Sequence, residues 1–510
     1  MIAAPILADA PMAAKPAQLA QWLRAQPGVS GDLHADSRSV RPGDVFLAWA
    51  GRSGDGRSHA GDALRSGARF VLFEPVNPPD GMPADPRVVP VAGLRSLAGE
   101  LAAAWYGRPS ERIDLIAVTG TNGKTSCTRW IAEGLSAAGR PSAVIGTLGS
   151  GLVGESPSPF GLTMPDAVTL HRLLAGLVDQ GAQAVALEAS SIGLDQGRLD
   201  GAHYRLAMLT NITRDHLDYH GTEQAYREAK LRLFESSSLS FAVINADDSA
   251  CEEALARVRP SCERIVYGER ALLTDAQAAR RLQVQVVRED TQGMDLAFDG
   301  DFGRASVRVG LLGRFNALNA AGVAACWLAL GMSFDEVARR LAQLGAPPGR
   351  LERIVREGQP LVVVDYAHTP DALENVLAAL RVLTRARGGL LWCVFGAGGD
   401  RDEGKRPLMG QVVSASSDRF IITSDNPRTE PPDRIAAQIQ AGCLRAAECI
   451  ELDRARAIAR AVSSAATQDI VLIAGKGHEC WQEIAGKRVA FSDRHVAERE
   501  LDARSEALHV

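Results

Sequence analysis

The chain has 510 residues, 46% of them hydrophobic and 23% charged, with a formal net charge of −5; this length predicts about two to four domains. The chain has no basic excess that would indicate nucleic-acid binding. It also has no run of about 18 apolar residues, so no membrane span is predicted. The eight cysteines form no C-x-x-C pair, which argues against a zinc site or a disulfide framework and favours a reducing cytoplasm.

The N-terminal part, residues 1–110, is predicted to form a smaller α/β domain. Its first residues contain an apolar stretch and an Ala-Asp-Ala sequence that resembles a cleavage site. They lack a basic segment and Asp9 interrupts them, so we do not expect a secretory signal peptide. The predicted elements of this domain are strands at 44–48 and 69–73, a helix at 94–106 and a linker at 107–110.

A second domain is predicted over residues 111–346, where apolar strands alternate with amphipathic helices. Such alternation is typical of a parallel sheet that is covered by helices on both faces. Residues 270–310 are predicted to be rich in β-structure. The predicted strands are 113–118, 142–147, 183–188, 205–210 and 240–245, and the predicted helices are 124–138, 166–180, 222–236 and 316–330.

The sequence between the first predicted strand and the first predicted helix of this domain is Gly-Thr-Asn-Gly-Lys-Thr. Glycines allow a tight turn whose N–H groups point at phosphate oxygens, and the helix start adds positive charge. Lys124 can reach the β- and γ-phosphates, and the Thr125 hydroxyl can hold Mg²⁺. The motif predicts an ATP site, although Val118 replaces the usual first glycine and a plain strand–turn–helix junction is the alternative. The phosphate-loop residues are Gly120, Thr121, Asn122, Gly123, Lys124 and Thr125.

A third domain, residues 347–510, is predicted after the Gly- and Pro-rich break at 345–349. It repeats the alternation of buried strands and helices, and its strands are predicted at 361–364, 390–395, 420–423 and 470–474.

Polar clusters follow many of the predicted strands in the second and third domains. Ligands of open α/β sheets bind outside the carboxyl ends of the strands. Each cluster alone is compatible with ordinary turn chemistry, but together they predict a large polar cleft between these two domains. The clusters are 120–125, 188–191, 210–216, 365–368, 398–401, 424–428 and 475–479.

Three of these positions are candidates for holding a metal ion. Glu188 ends an apolar strand beside the predicted phosphate loop, and its hard oxygen atoms suit Mg²⁺. A capping or solvated carboxylate is the alternative. A lone histidine such as His216 is more often structural. By composition alone, Lys230 is an exposed helix lysine.

The ordered set of motifs resembles the Mur ligases, the ATP-dependent amino-acid-adding enzymes of peptidoglycan synthesis, over nearly the whole chain. The resemblance implies an α/β fold with a small N-terminal domain for the UDP part of the substrate, a central P-loop domain with a parallel sheet for ATP, and a Rossmann-like C-terminal domain. The motifs are 119–125, 188–191, 216–230, 313–319, 348–350, 365–370 and 475–479.

The resemblance also implies roles for residues around the nucleotide. Lys124, Lys230 and His216 are the implied catalytic residues. Mg²⁺ would be held by Thr125, Glu188, His216 and Lys230, with Lys230 carbamylated, which turns its cation into a carboxylate that Mg²⁺ accepts. Asn316 and Arg350 are implied ATP contacts. Asp365 and His368 are implied to contact the nucleotide or to close the cleft.

The sequence Asp425-Asn426-Pro427-Arg428 matches the family's motif for recognising meso-diaminopimelate. This amino acid carries a distal carboxylate that lysine lacks, and a guanidinium can bind a carboxylate through two hydrogen bonds. Arg428 is therefore expected to select the substrate, and Arg401 to add a second positive contact. Glu479 is expected to accept from the distal ammonium, and the Gly475 backbone to line the pocket. An ordinary Asn-Pro turn is the alternative.

The UDP-sugar peptide is implied to contact seven positions. Ala35 and Ser37 match the uridine site, and the others match the muramoyl-dipeptide and phosphate site: Thr163, Met164, Ser190, Gln196 and Arg198. Departures occur at Met164, which replaces a threonine and is expected to offer only its backbone, and at Ile192, which replaces a histidine. Residues 51–57 fit the family's pattern loosely, so contacts from 52–54 are weakly supported.

The expected function is ligation of meso-diaminopimelate to UDP-N-acetylmuramoyl-L-alanyl-D-glutamate through an acyl phosphate, with ADP and phosphate as products. The resemblance implies a cytoplasmic monomer that acts on small molecules and serves cell-wall biogenesis, and with it cell shape, cell division and the cell cycle. The alternatives are a folylpolyglutamate synthase, a lysine-adding relative and a nucleotide-binding switch. The 425–428 motif and the uridine-site pattern disfavour the first, Arg428 disfavours the second, and the metal-site lysine and the amino-acid-like pocket disfavour the third.

Overall fold

The computed structural model describes residues 15–51, 54–271, 279–290 and 292–508, with side chains to residue 505. Its N-terminal unit consists of α1 (Pro16–Ala25), β1 (Leu33–His34), β2 (Val45–Ala48), α2 (Ala60–Arg65), β3 (Phe70–Phe73), β4 (Val88–Pro90) and α3 (Leu94–Trp105). The four strands form a parallel sheet in the order β1-β2-β3-β4. The two strands and the helix predicted here are confirmed. The predicted absence of a signal peptide concerns residues outside the described ranges, as do the weakly supported positions 52 and 53.

The central unit contains ten strands in one sheet. Its strands are β5 (Asp114–Thr119), β6 (Ser142–Gly146), β7 (Gly149–Leu152), β8 (Ala184–Glu188), β9 (Leu206–Leu209), β10 (Phe241–Asn245), β11 (Glu263–Gly268), β12 (Ala279–Asp290), β13 (Gly293–Gly300) and β14 (Ala305–Val309). Its helices are α4 (Lys124–Ala137), α5 (Ala167–Asp179), α6 (Ser191–Asp195), α7 (Leu217–His220), α8 (Glu223–Leu231), α9 (Cys251–Arg257), α10 (Arg314–Ala329) and α11 (Phe334–Leu341).

The strand order of this sheet places the phosphate loop at its centre. The order is β14-β13-β12-β11-β10-β9-β5-β8-β6-β7, and the strands from β12 to β6 are parallel. Because β5 lies between β8 and β9, the chain first adds β6, β7 and β8 on one side of β5 and then places β9 on the other side. The carboxyl ends of β5, β8 and β9 therefore flank a crevice, where open α/β sheets bind ligands.

Hydrophobic clusters cover both faces of the central sheet. On one face α4 and α10 meet, and Trp130 and Trp327 are fully buried there. A Cβ built on Gly134 of α4 would lie 2.0 Å from Cζ2 of Trp327, so only glycine allows this close approach. Burial on both faces explains why the strands have continuous apolar runs, and it confirms the predicted parallel sheet.

Two predicted segments of the central unit differ in detail. The helix predicted at 222–236 ends at Leu231 and continues as a short 3-10 helix, Arg232–Glu235. The β-rich region predicted at 270–310 is an antiparallel extension of the sheet formed by β12, β13 and β14. Residues 272–278 and 291 of that prediction lie outside the described ranges.

The C-terminal unit has a second mostly parallel sheet, in the order β15-β16-β20-β17-β18-β19, and a separate hairpin of β21 and β22. Its strands are β15 (Glu352–Ile354), β16 (Leu361–Asp365), β17 (Leu391–Phe395), β18 (Arg419–Ile422), β19 (Cys449–Ile450), β20 (Ile470–Ala474), β21 (Trp481–Ile484) and β22 (Lys487–Ala490). Its helices are α12 (Pro370–Arg387), α13 (Lys405–Ser416), α14 (Pro432–Ala441), α15 (Arg454–Ser464) and α16 (Asp493–Leu508). The predicted strands are confirmed, whereas β15, β19 and the hairpin were not predicted.

Shared cores join the three units. Val168 of α5 belongs to the core of the N-terminal sheet, and Leu312 of the central unit belongs to the core of the C-terminal sheet. The α/β class with three sheet-based units is therefore confirmed. Over the described ranges, no helix combines the length and the apolar composition that a bilayer crossing requires.

Candidate active site

The phosphate loop follows β5 and ends where α4 begins. Gly120 and Gly123 have positive φ angles of 148° and 88°, which side-chain-bearing residues rarely adopt. A Cβ on Gly123 would also lie 2.5 Å from Oδ1 of Asn319 on α10. The Asn122 N–H donates to Oδ1 of Asn211 over 3.0 Å. The predicted turn and helix start are thus held by the ends of β5, β9 and α10.

Two lysines donate to the same carbonyl oxygen in this loop. Lys124 Nζ lies 2.8 Å from the Gly120 oxygen and 2.9 Å from the Thr121 oxygen. Lys230 Nζ, on α8, lies 2.6 Å from the Gly120 oxygen and is 1% exposed. The side chain that composition predicted to be solvated is therefore buried beneath the phosphate loop.

Burial dominates the electrostatics of this lysine pair. It lowers the pKa of Lys230 well below the usual 10.5, and the neighbouring charge of Lys124 lowers it further, with Asp215 opposing. Burial also lowers the pKa of Lys124, against the attraction of Glu188 and Asp215. A neutral amine at Lys230 avoids placing two ammonium groups on one carbonyl.

Glu188 ends β8 next to the phosphate loop and is 1% exposed. Its Oε2 accepts from the Thr125 hydroxyl at 3.1 Å, and its Oε1 accepts from the Thr147 N–H at 2.8 Å. The Thr147 hydroxyl donates to Oγ1 of Thr163 at 3.2 Å. This chain of contacts joins a predicted ATP residue, a predicted metal ligand and a predicted UDP-substrate residue.

His216 adopts a left-handed conformation with φ of 52°, immediately before α7. Its ring lies 6.5 Å from the Tyr226 ring, and Lys230 Nζ lies 4.7 Å from the centre of that same ring. Burial lowers the pKa of His216, while Asp215 raises it and Lys124 and Lys230 lower it. His216 and Lys230 thus flank one tyrosine beside the phosphate loop.

The donor types around the loop fit Mg²⁺. A carboxylate and a hydroxyl, from Glu188 and Thr125, are hard oxygen ligands next to the site for phosphates. Within the described residues, no three His, Cys, Asp or Glu side chains converge as a ready metal-binding group. The metal ligands predicted from the sequence include two side chains of these types, Glu188 and His216. The other two are Thr125 and a carbamylated Lys230.

The C-terminal unit reaches across to the phosphate loop through Arg350 and α12. Arg350 Nη2 donates to Oγ1 of Thr125 at 3.0 Å, and its guanidinium lies 4.7 Å from the centre of the Tyr366 ring. The Asn122 side chain donates to Oδ2 of Asp371 at 2.9 Å. These contacts join the central and C-terminal units across the cleft that we predicted from the polar clusters.

Asp365 and His368 have clear structural partners in this region. Asp365 accepts from the N–H groups of Leu351 and Ala367, each over 2.7 Å. His368 Nδ1 lies 2.8 Å from the Tyr366 carbonyl, and burial lowers its pKa to about 4. Asp365 shapes the loop after β16, and His368 is a neutral side chain facing the cleft.

A cavity of about 370 Å³ occupies this cleft. One part is lined by phosphate-loop residues with Glu188, Thr163 and His216, and another by the apolar side chains of Phe315, Leu318 and Val376. Asn316 and Arg350 also line it. The combination of an apolar slot and a phosphate-binding loop suits a purine nucleotide. The predicted ATP residues are therefore brought together.

The predicted amino-acid residues form a separate cluster at the carboxyl ends of β17, β18 and β20. Asn426 Nδ2 donates to Oε2 of Glu479 at 2.8 Å. Lys476, which is fully buried, donates to Oδ1 of Asn426 at 2.9 Å and to Oε2 of Glu479 at 2.7 Å. Both donors thus meet at Oε2 of Glu479. A Cβ on Gly475 would lie 2.3 Å from Oδ2 of Asp425.

Arg428 and Arg401 approach the same glycine of this cluster. Arg428 Nη1 donates to the Gly399 carbonyl at 2.6 Å. A Cβ on Gly398 would lie 3.0 Å from Arg428 Nη1 and 3.7 Å from Cγ of Arg401. Pro427 accepts from the Glu430 N–H at 3.0 Å and closes the turn. The Arg428 guanidinium beside a residue without a side chain is suited to a carboxylate, and the Arg401 stem lies next to it.

A buried ion pair fixes the strand ends that carry this cluster. Arg454 pairs with Asp493, and both side chains are fully buried. Arg454 also donates to the carbonyls of Ser424 at 3.2 Å and Ala474 at 2.9 Å, at the ends of β18 and β20. Breaking such a pair typically costs about 3–5 kcal/mol, because one charge is left uncompensated.

The residues predicted to bind the UDP-sugar peptide fall in two places. Ala35 and Ser37 follow β1 in the N-terminal unit, where Asp36 caps a 3-10 helix, Ser37–Ser39. His34, next to them, lies 2.8 Å from Nη1 of Arg172 on α5. The uridine candidates therefore lie outside the nucleotide cavity, at the junction of the N-terminal and central units.

The other UDP-substrate candidates surround α6. Ser190 caps this helix by accepting from the Gly193 N–H at 3.1 Å. Arg198 donates to Oε1 of Gln196 at 2.7 Å and to the Met164 carbonyl at 2.5 Å. Met164 is fully buried, its side chain packs in the core and its carbonyl is engaged by Arg198, so the backbone contact expected from its substitution stays a prediction. Ile192 lies within α6.

Sequence reasoning missed several residues of the site. Thr147 and Asp371 each bridge site segments through more than one hydrogen bond. Tyr366 and Lys476 lay in the motifs but received no role. Lys405 begins α13, and burial lowers its pKa while the charges of Asp215 and Asp425 raise it. The only sequence signal for these missed residues was the polar sequence predicted after β16 and after β20.

Three models of one protein family match the chain in order. They are described as "Mur ligase family, catalytic domain" at residues 32–106, "Mur ligase middle domain" at 118–327, and "Mur ligase, glutamate ligase domain" at 349–477. The matched segments follow the three sheets along the chain.

Individual proteins match over nearly the full length. A relative from Ralstonia nicotianae, named UDP-N-acetylmuramoyl-L-alanyl-D-glutamate–2,6-diaminopimelate ligase, is 46% identical over 519 residues and covers 99% of each chain. A solved structure with the same protein name is 36% identical, with a TM-score of 0.65 and coverage of 95% of this chain and 96% of the other. A MurF ligase from Thermotoga maritima in complex with ADP shares the fold at 18% identity, with a TM-score of 0.65 and coverage of 94% and 100%.

Proposed function

The chain belongs to the Mur ligase family, and from this premise we propose that it adds 2,6-diaminopimelate to UDP-N-acetylmuramoyl-L-alanyl-D-glutamate. The reaction uses ATP and releases ADP and phosphate in peptidoglycan synthesis. One observation carries the proposal: the hydrogen-bonded series of Thr125, Glu188, Thr147 and Thr163 lines a single cavity. A triphosphate on the loop and an acid held near Thr163 would meet there.

The phosphate loop, Asn316 and Arg350 supply the ATP site. The loop amides and Lys124 offset the charge of the β- and γ-phosphates, and the apolar slot beside Phe315 takes the base. Mg²⁺ would be held by Thr125 and Glu188, with His216 and carbamylated Lys230 as further ligands. When bound, the ion neutralises phosphate charge as two anions approach.

Lys230 is suited to carbamylation. Its depressed pKa leaves a free lone pair, which can attack CO₂ to form an N–C bond with loss of one proton. The product is a buried carboxylate beside His216. This converts a residue that competes with Lys124 for the Gly120 carbonyl into a counter-charge for Lys124.

The reaction has two displacement steps. The D-glutamyl carboxylate attacks the γ-phosphorus, the bond to the bridging oxygen breaks, and ADP leaves. The amine of diaminopimelate then attacks the acyl carbon, phosphate leaves, and the amine loses a proton. Lys124 and the loop amides stabilise charge on the transferring group. Arg350 and Asp371 hold the C-terminal unit over the cleft, which excludes water from the acyl phosphate.

The Arg428→Ala variant tests recognition of the distal carboxylate. We expect the KM for meso-diaminopimelate to rise about 10- to 100-fold, since a charge-assisted bidentate contact contributes about 1.5–3 kcal/mol. The KM for ATP should stay unchanged. Initial rates of phosphate release at varied amino acid measure both constants. An unchanged KM for the amino acid would exclude this role for Arg428.

The proposed function itself is tested with purified wild-type protein. Phosphate release should require ATP, the UDP-muramoyl dipeptide and meso-diaminopimelate together, and mass spectrometry should detect the UDP-muramoyl tripeptide. Hydrolysis of ATP without the amino acid, and without product, would favour the nucleotide switch. Ligation of lysine in preference to diaminopimelate would favour the lysine-adding relative.

Further assignments are part of the same proposal. We place the domain boundaries at 110/111 and 346/347, which separate the three sheets. Ser37 and Ala35 would contact uridine, and Ser190, Gln196 and Arg198 the muramoyl-peptide and phosphates. The protein would act in the cytoplasm as a monomer, and through the cell wall it would serve cell shape, division and the cell cycle.

A further inference from the structure

We propose that Glu483 is a specificity-determining residue, an internal counter-ion that competes with the distal carboxylate of the substrate for Arg428. This inference rests on the proposed function. It assigns a role to the β21–β22 hairpin, which neither the sequence motifs nor the proposed reaction uses.

Glu483 faces Arg428 directly. Its Oε2 lies 3.9 Å from Arg428 Nε, and the two side chains are 24% and 21% exposed. Within the described residues, the ion pair that Arg428 forms is the one with Glu483. Glu483 therefore supplies, from within the chain, the same chemical group that the substrate would bring.

The hairpin fixes Glu483 in this position through its backbone. The Glu483 carbonyl accepts from the Arg428 N–H at 3.0 Å, and the Glu483 N–H donates to Oδ1 of Asn426 at 3.0 Å. Gln482 donates to the Asp425 carbonyl at 2.7 Å. Because these contacts do not involve the Glu483 carboxylate, its charge can be removed while the hairpin stays docked.

The guanidinium keeps unused capacity for a ligand. One nitrogen, Nη1, donates to the Gly399 carbonyl and lies beside Gly398, while Nε faces Glu483. An incoming carboxylate that pairs with the Arg428 guanidinium would lie near the Glu483 carboxylate. Like charges at such separations repel, so Glu483 weakens binding of the substrate.

Glu483 has the opposite effect on an amino acid without a distal carboxylate. With lysine bound, Arg428 would lack an anionic partner from the substrate, and an unpaired charge is costly even where it is only partly buried. The pair with Glu483 reduces that cost. Glu483 therefore lowers the discrimination between diaminopimelate and lysine, and its removal should increase that discrimination.

The test compares Glu483→Gln with wild type, using meso-diaminopimelate and L-lysine as alternative substrates. We expect the KM for diaminopimelate to fall about 3- to 10-fold and the ratio of kcat/KM values, diaminopimelate over lysine, to rise by at least as much. The kcat with diaminopimelate and the KM for ATP should not change. Glu483→Asp, which keeps the charge, should retain a lower ratio than Glu483→Gln.

Glu448→Gln is the matched control, because Glu448 is an exposed carboxylate of the same unit that pairs with Arg419. This variant should match wild type. An unchanged or raised KM for diaminopimelate in Glu483→Gln, or an unchanged ratio, would overturn the inference. If wild type and the control themselves show no diaminopimelate-dependent phosphate release, the proposed function fails instead, so the two failures are distinct.

Discussion

Lys124→Ala should lose ligation activity by about 10³-fold or more while the protein remains folded. The Lys124 ammonium is the cation of the phosphate loop, and preorganised groups that stabilise transferring charge typically contribute about 10²- to 10³-fold each. Its present contacts are the carbonyls of Gly120 and Thr121, at 2.8 and 2.9 Å. A bound γ-phosphate would attract the ammonium away from these neutral acceptors, since charge-assisted hydrogen bonds are stronger.

Phosphate release under saturating substrates measures the loss, and circular dichroism with thermal unfolding checks the fold. Lys487→Ala is the matched control, because Lys487 lies exposed on β22. It should behave like wild type. Normal turnover in Lys124→Ala would refute the role of the loop in binding triphosphate, and with it the ATP-dependent mechanism.

Lys230→Ala is expected to lower activity by about 10²- to 10³-fold, with partial recovery in the presence of formate or acetate. The physical reason is the burial of Lys230 beneath the phosphate loop, which favours a neutral amine and so its reaction with CO₂. The alanine variant leaves a space into which a short carboxylate can enter and replace the carbamate. A short carboxylate should not improve wild type.

Two measurements separate a carbamate from a purely structural lysine. Intact-protein mass spectrometry under mild conditions should detect one added CO₂ on wild type and none on Lys230→Ala. Removing dissolved CO₂ and bicarbonate should lower wild-type activity reversibly. If carboxylates give no recovery and CO₂ removal has no effect, Lys230 acts through its hydrogen bond to Gly120 alone.

Both lysines illustrate how far sequence reasoning reached. The glycine pattern around Lys124 is local, because a strand, a tight turn and a helix start are encoded within about ten consecutive residues. Lys230 had no local signal that distinguished it from a solvated helix residue. Its burial depends on α8 packing beneath a loop 110 positions earlier in the chain, at Gly120.

The predicted amino-acid site is likewise divided between residues identified from the sequence and residues that only the structure revealed. The 425–428 motif and Glu479 were identified from the sequence, but Lys476, which donates to both Asn426 and Glu479, was assigned no role. The hairpin that carries Glu483 was not predicted, because β21 and β22 are short and β22 is fully exposed. A strand of this kind lacks the alternating or continuous apolar pattern from which strands are recognised.

The sequence by itself determined the α/β class, the alternation of buried strands with helices, the phosphate loop and the family resemblance, because these depend on local turn chemistry and on runs of apolar residues. Only the tertiary structure decided which side chains meet: Arg350 with Thr125 across 225 residues, the shared Gly120 carbonyl and the pair of Arg428 with Glu483. Contacts between distant segments form through packing of whole sheets and helices, which leaves no periodic trace in either segment alone.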